Sequence, residues 1–133
     1  MNPPLLVAGS LALIGAAVHA VGGEVLVVRR LSPEVLPSSR FGGPETTKTM
    51  IRVSWHVATI AFLIVGAALI LSGSVLHGGT ARTMGLVGAS ASTAFAALLV
   101  GTACAHGPRA LLRHPGPAVL TTVAALAWWG IVR

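Results

Sequence analysis

Apolar residues fall in four long runs, at about residues 4–28, 51–71, 83–105 and 116–132, with more polar stretches between them. A helix that crosses a bilayer needs about 20 mainly apolar residues, and each run meets or approaches that length. Breakers stand where the runs end. Arg29-Arg30 closes the first, and Pro33 and Pro37 interrupt the chain beyond it. The connection at about 29–50 is therefore long, with room for a short interfacial helix around Val35 and Leu36. Pro44 suits a first helical position and Glu45 the positive end of a helix dipole, so the second helix is expected to start well before Arg52. Gly78-Gly79 is expected to separate runs two and three. Gly107-Pro108 and His114-Pro115-Gly116-Pro117 separate three and four.

Composition sharpens this picture. Of 133 residues, 54% are apolar and only 9% charged. Soluble domains carry about 25% charged residues, so this chain has too little polar surface for water. Disorder is excluded by the same apolar excess. The expectation is an all-α integral membrane protein: one domain, a four-transmembrane-helix bundle, embedded in a lipid bilayer. No Lys or Arg precedes the first run, so it reads as a retained span rather than a cleaved signal.

The net charge of +6 belongs to topology. Basic residues cluster at the ends of the apolar runs and are not interleaved with aromatics, so nucleic acid is not an expected partner. Arg29, Arg30, Arg40, Lys48, Arg52, Arg109 and Arg113 fall on one side, Arg82 and Arg133 on the other. That imbalance predicts a cell-membrane protein with both basic loops cytoplasmic and both termini on the outer side. Trp128 and Trp129 are then expected at the outer interface and Trp55 at the inner one.

Small residues mark expected helix contacts. Gly85, Ala89, Ser92 and Ala96 form one stripe on run three. Ala12, Gly15, Ala16, Gly22 and Gly23 share the face of His19. Such stripes let backbones approach closely, within the bundle or across a homo-oligomer or a partner membrane protein.

Ionisable side chains inside an apolar run need a partner or a task. At about 1.5 Å per residue, His19 lies roughly 15 Å from Arg29, Glu24 roughly 7 Å from it, and His56 about 6 Å past Arg52. His106 ends run three, and His114 follows in the next loop. His77 stands on the opposite side, in a loop. The structural expectation is that His19 hydrogen-bonds across a helix contact and Glu24 pairs with Arg52 or His56. Cys104 is then a small packing residue. The functional expectation is a proton- or ligand-binding site formed by Glu24, His19 and His56. A further candidate is a haem b or transition-metal site formed by His19, His56 and His106, the glycines beside His19 giving clearance for a macrocycle. Glu24 and His19 lie about 140° apart on a helix and do not suit one ion, and Cys104 and His106, about 200° apart, are a poor chelate.

Three functions follow as expectations. The first is a membrane protein with a His/Glu ligand, haem or metal site in the cytoplasmic half of the bundle, redox-related. The second rests on a resemblance. Four spans, a little over a hundred residues and one acidic residue, Glu24, in span one resemble the small multidrug resistance transporters. That resemblance implies a homodimeric proton-coupled transporter with Glu24 as its proton and cation site. The third is an accessory or assembly subunit of a larger membrane complex. An enzyme acting on a lipid-soluble quinone or isoprenoid would use Glu24, His19 and His56 for acid–base work, although no nucleophile is evident.

Overall fold

The computed structural model describes residues 1–107, 109 and 115–133. Four long helices appear among them: α1 (Pro3–Leu26), α2 (Pro44–Ser74), α3 (Gly78–Ala105) and α4 (Gly116–Val132). No strand occurs among the described residues, only a single bridge between Ser39 and Gly42. Three helices are long and apolar enough to cross a membrane. At 17 residues α4 is shorter, about 26 Å against a hydrocarbon core of about 30 Å. Arg113 and His114 lie outside the described residues.

The chain divides into two compact units, Met1–Leu13 with Leu63–Arg133, and Ile14–Phe62. In the first, all four helices contribute to one core: Leu5, Ala8 and Ala12 from α1, Val65 and Leu69 from α2, Ala89 from α3, Val123 and Ala127 from α4. The expected stripe on α3 is buried, with Gly85, Gly88, Ala89, Ser92 and Ala96 turned inward. Small residues there admit the large Leu69, whose Cδ2 would stand 2.7 Å from a Cβ added at Gly88. Gly9 and Gly66 bring α1 and α2 into backbone contact, since a Cβ at Gly9 would meet the Gly66 carbonyl oxygen at 2.8 Å. Large apolar side chains such as Ile64, Val87 and Leu98 are exposed instead. Small residues at the helix contacts, with large apolar side chains on the exterior, are the arrangement expected where lipid covers that exterior.

The helix ends of this unit are tied by hydrogen bonds. Asn2 caps α1, its Oδ1 accepting from the Leu5 N–H at 3.4 Å, so Pro3 and Pro4 occupy positions whose missing N–H costs nothing. The Asn2 side-chain amide donates to the Gly130 carbonyl at 2.6 Å, and its backbone N–H donates to Gly73 at 2.7 Å. Ser72 donates to the Ala81 carbonyl at 2.7 Å. The Trp128 indole N–H reaches Thr93 Oγ1 at 3.0 Å, which joins α4 to α3. The Arg133 guanidinium lies 4.2 Å over the Trp129 ring.

Several boundaries differ from the sequence expectation. The glycine pair Gly78-Gly79 opens α3 rather than separating the helices. Gly78 turns the chain with φ +59°, which an L side chain rarely adopts, so α2 and α3 follow almost without a loop. As expected, α2 starts at Pro44, which shortens the connection after Arg30. The segment between α1 and α2 holds two single 3-10 turns, Val28–Arg30 and Pro33–Val35, the second falling near the expected interfacial segment. Cys104, expected to pack, is exposed.

Candidate functional site

Of the polar residues singled out in the sequence, His19, Glu24 and His56 lie in the second unit, Ile14–Phe62, where they fall into two separate clusters. There the end of α1 runs antiparallel to the first half of α2. His19 faces Thr59, Gly23 faces Trp55, and Glu24 faces Arg52 and His56. The pairing follows from helical spacing: His19 and Gly23 are one turn apart on α1, as are Trp55 and Thr59, and Arg52 and His56, on α2.

His19 is held on several sides. Its ring stacks on Trp55 with centroids 4.4 Å apart and planes 9° apart, and Phe62 meets it edge-on at 5.4 Å. Its Nδ1 lies 2.9 Å from Thr59 Oγ1. The Trp55 indole N–H donates to the His19 carbonyl oxygen at 2.9 Å. The Thr59 hydroxyl lies 3.2 Å from the Trp55 carbonyl, and donation there makes its oxygen the acceptor for an Nδ1–H of His19. Glycine at position 23 is what admits Trp55, because a Cβ there would overlap the indole. Gly22 has no such role, as nothing stands within 4 Å of where its Cβ would be. Gly15 is half-buried.

Glu24 is buried in a separate polar cluster. Its Oε1 accepts a 2.7 Å contact from Arg52 Nη2 and a 3.4 Å contact from Arg29 Nε. His56 Nε2 lies 3.5 Å from Oε2 as an ion-pair contact, and Oε2 accepts no hydrogen bond among the described residues. The carboxylate is largely enclosed while the basic partners are about half exposed or more. Both expected partners of Glu24, Arg52 and His56, are therefore present, and Arg29 joins them.

An open groove of about 640 Å³ runs beside this network. Its floor is one stripe of α2: Thr47, Met50, Ile51, Ser54, Trp55 and Ala58. His19 borders it from α1, and Ser39 and Phe41 border it from the connection. That connection is pinned in place. Ser39 and Gly42 exchange backbone hydrogen bonds at 2.8 and 3.2 Å, and the Thr47 hydroxyl donates to the Pro37 carbonyl at 2.8 Å.

Comparison with known proteins adds no relative. No family model, no curated protein and no solved structure matches the chain.

The geometry bears differently on each expected role. Among the described residues, no group of three or more His, Cys, Asp or Glu side chains could hold a metal ion, so the expected set of His19, His56 and His106 has no structural support. His106 instead sets its Nδ1 2.8 Å from the Thr102 carbonyl. Oε1 of Glu24 is engaged by Arg52 and Arg29. Trp55, expected as an interface-belt residue, has a packing role against His19 and Gly23. Sequence reasoning did not single out Trp55 and Thr59, the residues that hold His19. The available signal was the α2 stripe of hydroxyl and aromatic residues at three- and four-residue spacing.

Proposed function

We propose that this chain is an integral membrane protein that binds a lipid-soluble ligand in the groove between α1 and α2. The observation that carries the reading is the fixed ring of His19 bordering a groove lined otherwise by apolar and hydroxyl side chains. A concave, mainly apolar surface with a few placed polar groups is the usual form of a small-molecule site, and its volume falls within the common range of about 300–1,000 Å³. Glu24, Arg29, Arg52 and His56 act as the scaffold. Their ion cluster joins the two helices and holds the groove wall. In this reading the basic connection faces the cytoplasm, which the clustering of Arg and Lys there supports. Glu24 serves as a counter-ion rather than as the cation site of a transporter, because Arg52 already occupies Oε1 at 2.7 Å.

The test is photolabelling in lipid nanodiscs with a diazirine-bearing hydrocarbon probe, followed by peptide mapping. Labels should concentrate on Phe41, Met50 and Ser54, and Ala58→Trp, which fills the groove, should remove them. Labelling that is no stronger there than on Val87 and Leu98, or that survives Ala58→Trp, would overturn the assignment.

A further inference from the structure

Two arginines share one buried carboxylate. Oε1 of Glu24 takes a 2.7 Å contact from Arg52 Nη2 and a 3.4 Å contact from Arg29 Nε, so these two nitrogens stand within about 6 Å of each other. Like charges this close repel, and one carboxylate offsets only one of them. His56 stands at the other oxygen, so Glu24, only 8% exposed, meets basic groups at both ends of its carboxylate. No other acidic residue gathers basic side chains in this way among the described residues. The cluster therefore holds a surplus positive charge at a fixed place.

That surplus is accessible. The Arg29 and Arg52 side chains are 68% and 56% exposed. A guanidinium carries five N–H donors in a planar fork, so most of them remain free of Glu24. Because Glu24 already holds both forks, an anion that binds between them orders little that was loose. A phosphate suits the spacing, since its oxygens accept from two guanidinium groups at once. Lys48, one turn before Arg52 on α2, and Arg30, next to Arg29, add positive charge. Glu34 and Glu45 are exposed and form no ion pair with the cluster among the described residues.

Depth narrows the source of the phosphate. Arg29 closes the first apolar run, and Arg52 stands at the start of the second. Basic residues at the ends of spanning helices lie at the level of lipid headgroups. A zwitterionic headgroup would bring its own cation to the same place, and the enclosed Glu24 has no free face to receive it. An anionic headgroup offers the phosphate without that cation.

We infer that Arg29 and Arg52 together bind the phosphate of an anionic phospholipid, with Glu24 positioning both. This site is separate from the groove, which neither arginine lines. It rests on the membrane part of the reading above and not on the ligand of the groove.

The experiment is native mass spectrometry of the full chain in neutral detergent, titrated with phosphatidylglycerol or with phosphatidylcholine of the same acyl chains. Phosphatidylglycerol should bind at a roughly tenfold lower concentration. Arg29→Gln and Arg52→Gln should each weaken it about fivefold, the worth of one charge near the surface. Arg40→Gln removes the same charge from the same connection but outside the cluster, and should change binding less than about twofold. Arg29 makes the longer, more exposed contact, so Arg29→Gln carries the test even if Arg52→Gln fails to fold. Equal binding of the two lipids overturns the anionic headgroup. Equal losses from Arg40→Gln and Arg29→Gln overturn the site and leave only general surface charge. Displacement of the lipid by inorganic phosphate at the lipid's own concentration overturns the lipid and assigns the site to a free phosphate. Ala58→Trp, which fills the groove, should leave phosphatidylglycerol binding unchanged, and a loss there overturns the separation of the two sites.

Discussion

The Trp55 indole lies parallel to the His19 imidazole at 4.4 Å and donates its N–H to the carbonyl of the same residue. One side chain of α2 thus engages both the ring and the backbone of one residue of α1, and Gly23 supplies the space. Trp55→Phe keeps a ring but loses the donor, and should destabilise by about 1–2 kcal/mol. Gly23→Ala should cost about 1–3 kcal/mol through overpacking against the indole. Denaturant unfolding in detergent, followed by circular dichroism, reads both. A neutral Gly23→Ala would mean that Trp55 does not pack there.

The ion cluster predicts an ordered set of couplings. A double-mutant cycle between Glu24→Gln and Arg52→Ala should give a coupling of about 1–3 kcal/mol, because the carboxylate is enclosed and the contact is 2.7 Å. The same cycle with Arg29→Ala should give less than about 1 kcal/mol, since that contact is 3.4 Å and its guanidinium is mostly exposed. A reversed order would contradict the geometry.

In the four-helix core, Leu69→Ala should cost about 2–5 kcal/mol, as its side chain is fully enclosed and leaves a cavity. Gly88→Val should also destabilise, by about 1–3 kcal/mol, because its branches would stand in the space of Leu69. Combining Gly88→Val with Leu69→Ala should recover part of the loss if the two positions share one volume. Strict additivity in thermal unfolding would show that they do not.

Sidedness has a direct chemical reading. Cys104 is exposed at the end of α3, and His77 is exposed just before its start. In intact cells, a membrane-impermeant maleimide should label His77→Cys in a Cys104→Ser background and should spare Cys104 in the wild-type chain. Labelling of both from outside would show that α3 does not cross the bilayer.

Much of this architecture was legible in the residues themselves. The apolar runs marked all four helices, Pro44 marked the start of α2, and small residues marked the buried stripe of α3. Helix boundaries erred where glycine was read only as a breaker. At Gly78 it opens a helix, because positive φ turns the chain within one residue. His19 and Glu24 stood out as costly residues in an apolar run, and Arg52 and His56 were weighed as partners of Glu24. Trp55 and Thr59 were not, since an aromatic and a hydroxyl in a helix have ordinary local explanations.

Sequence alone determined the all-helical architecture, the helices and which polar groups needed partners, because hydropathy and turn chemistry act over a few neighbouring residues. Only the tertiary structure decided the pairing. It set Gly23 beneath Trp55, Arg52 on Glu24, and His19 beside a groove. Those choices depend on the register between α1 and α2, which is settled by side chains 28 to 40 residues apart in the chain interlocking at once.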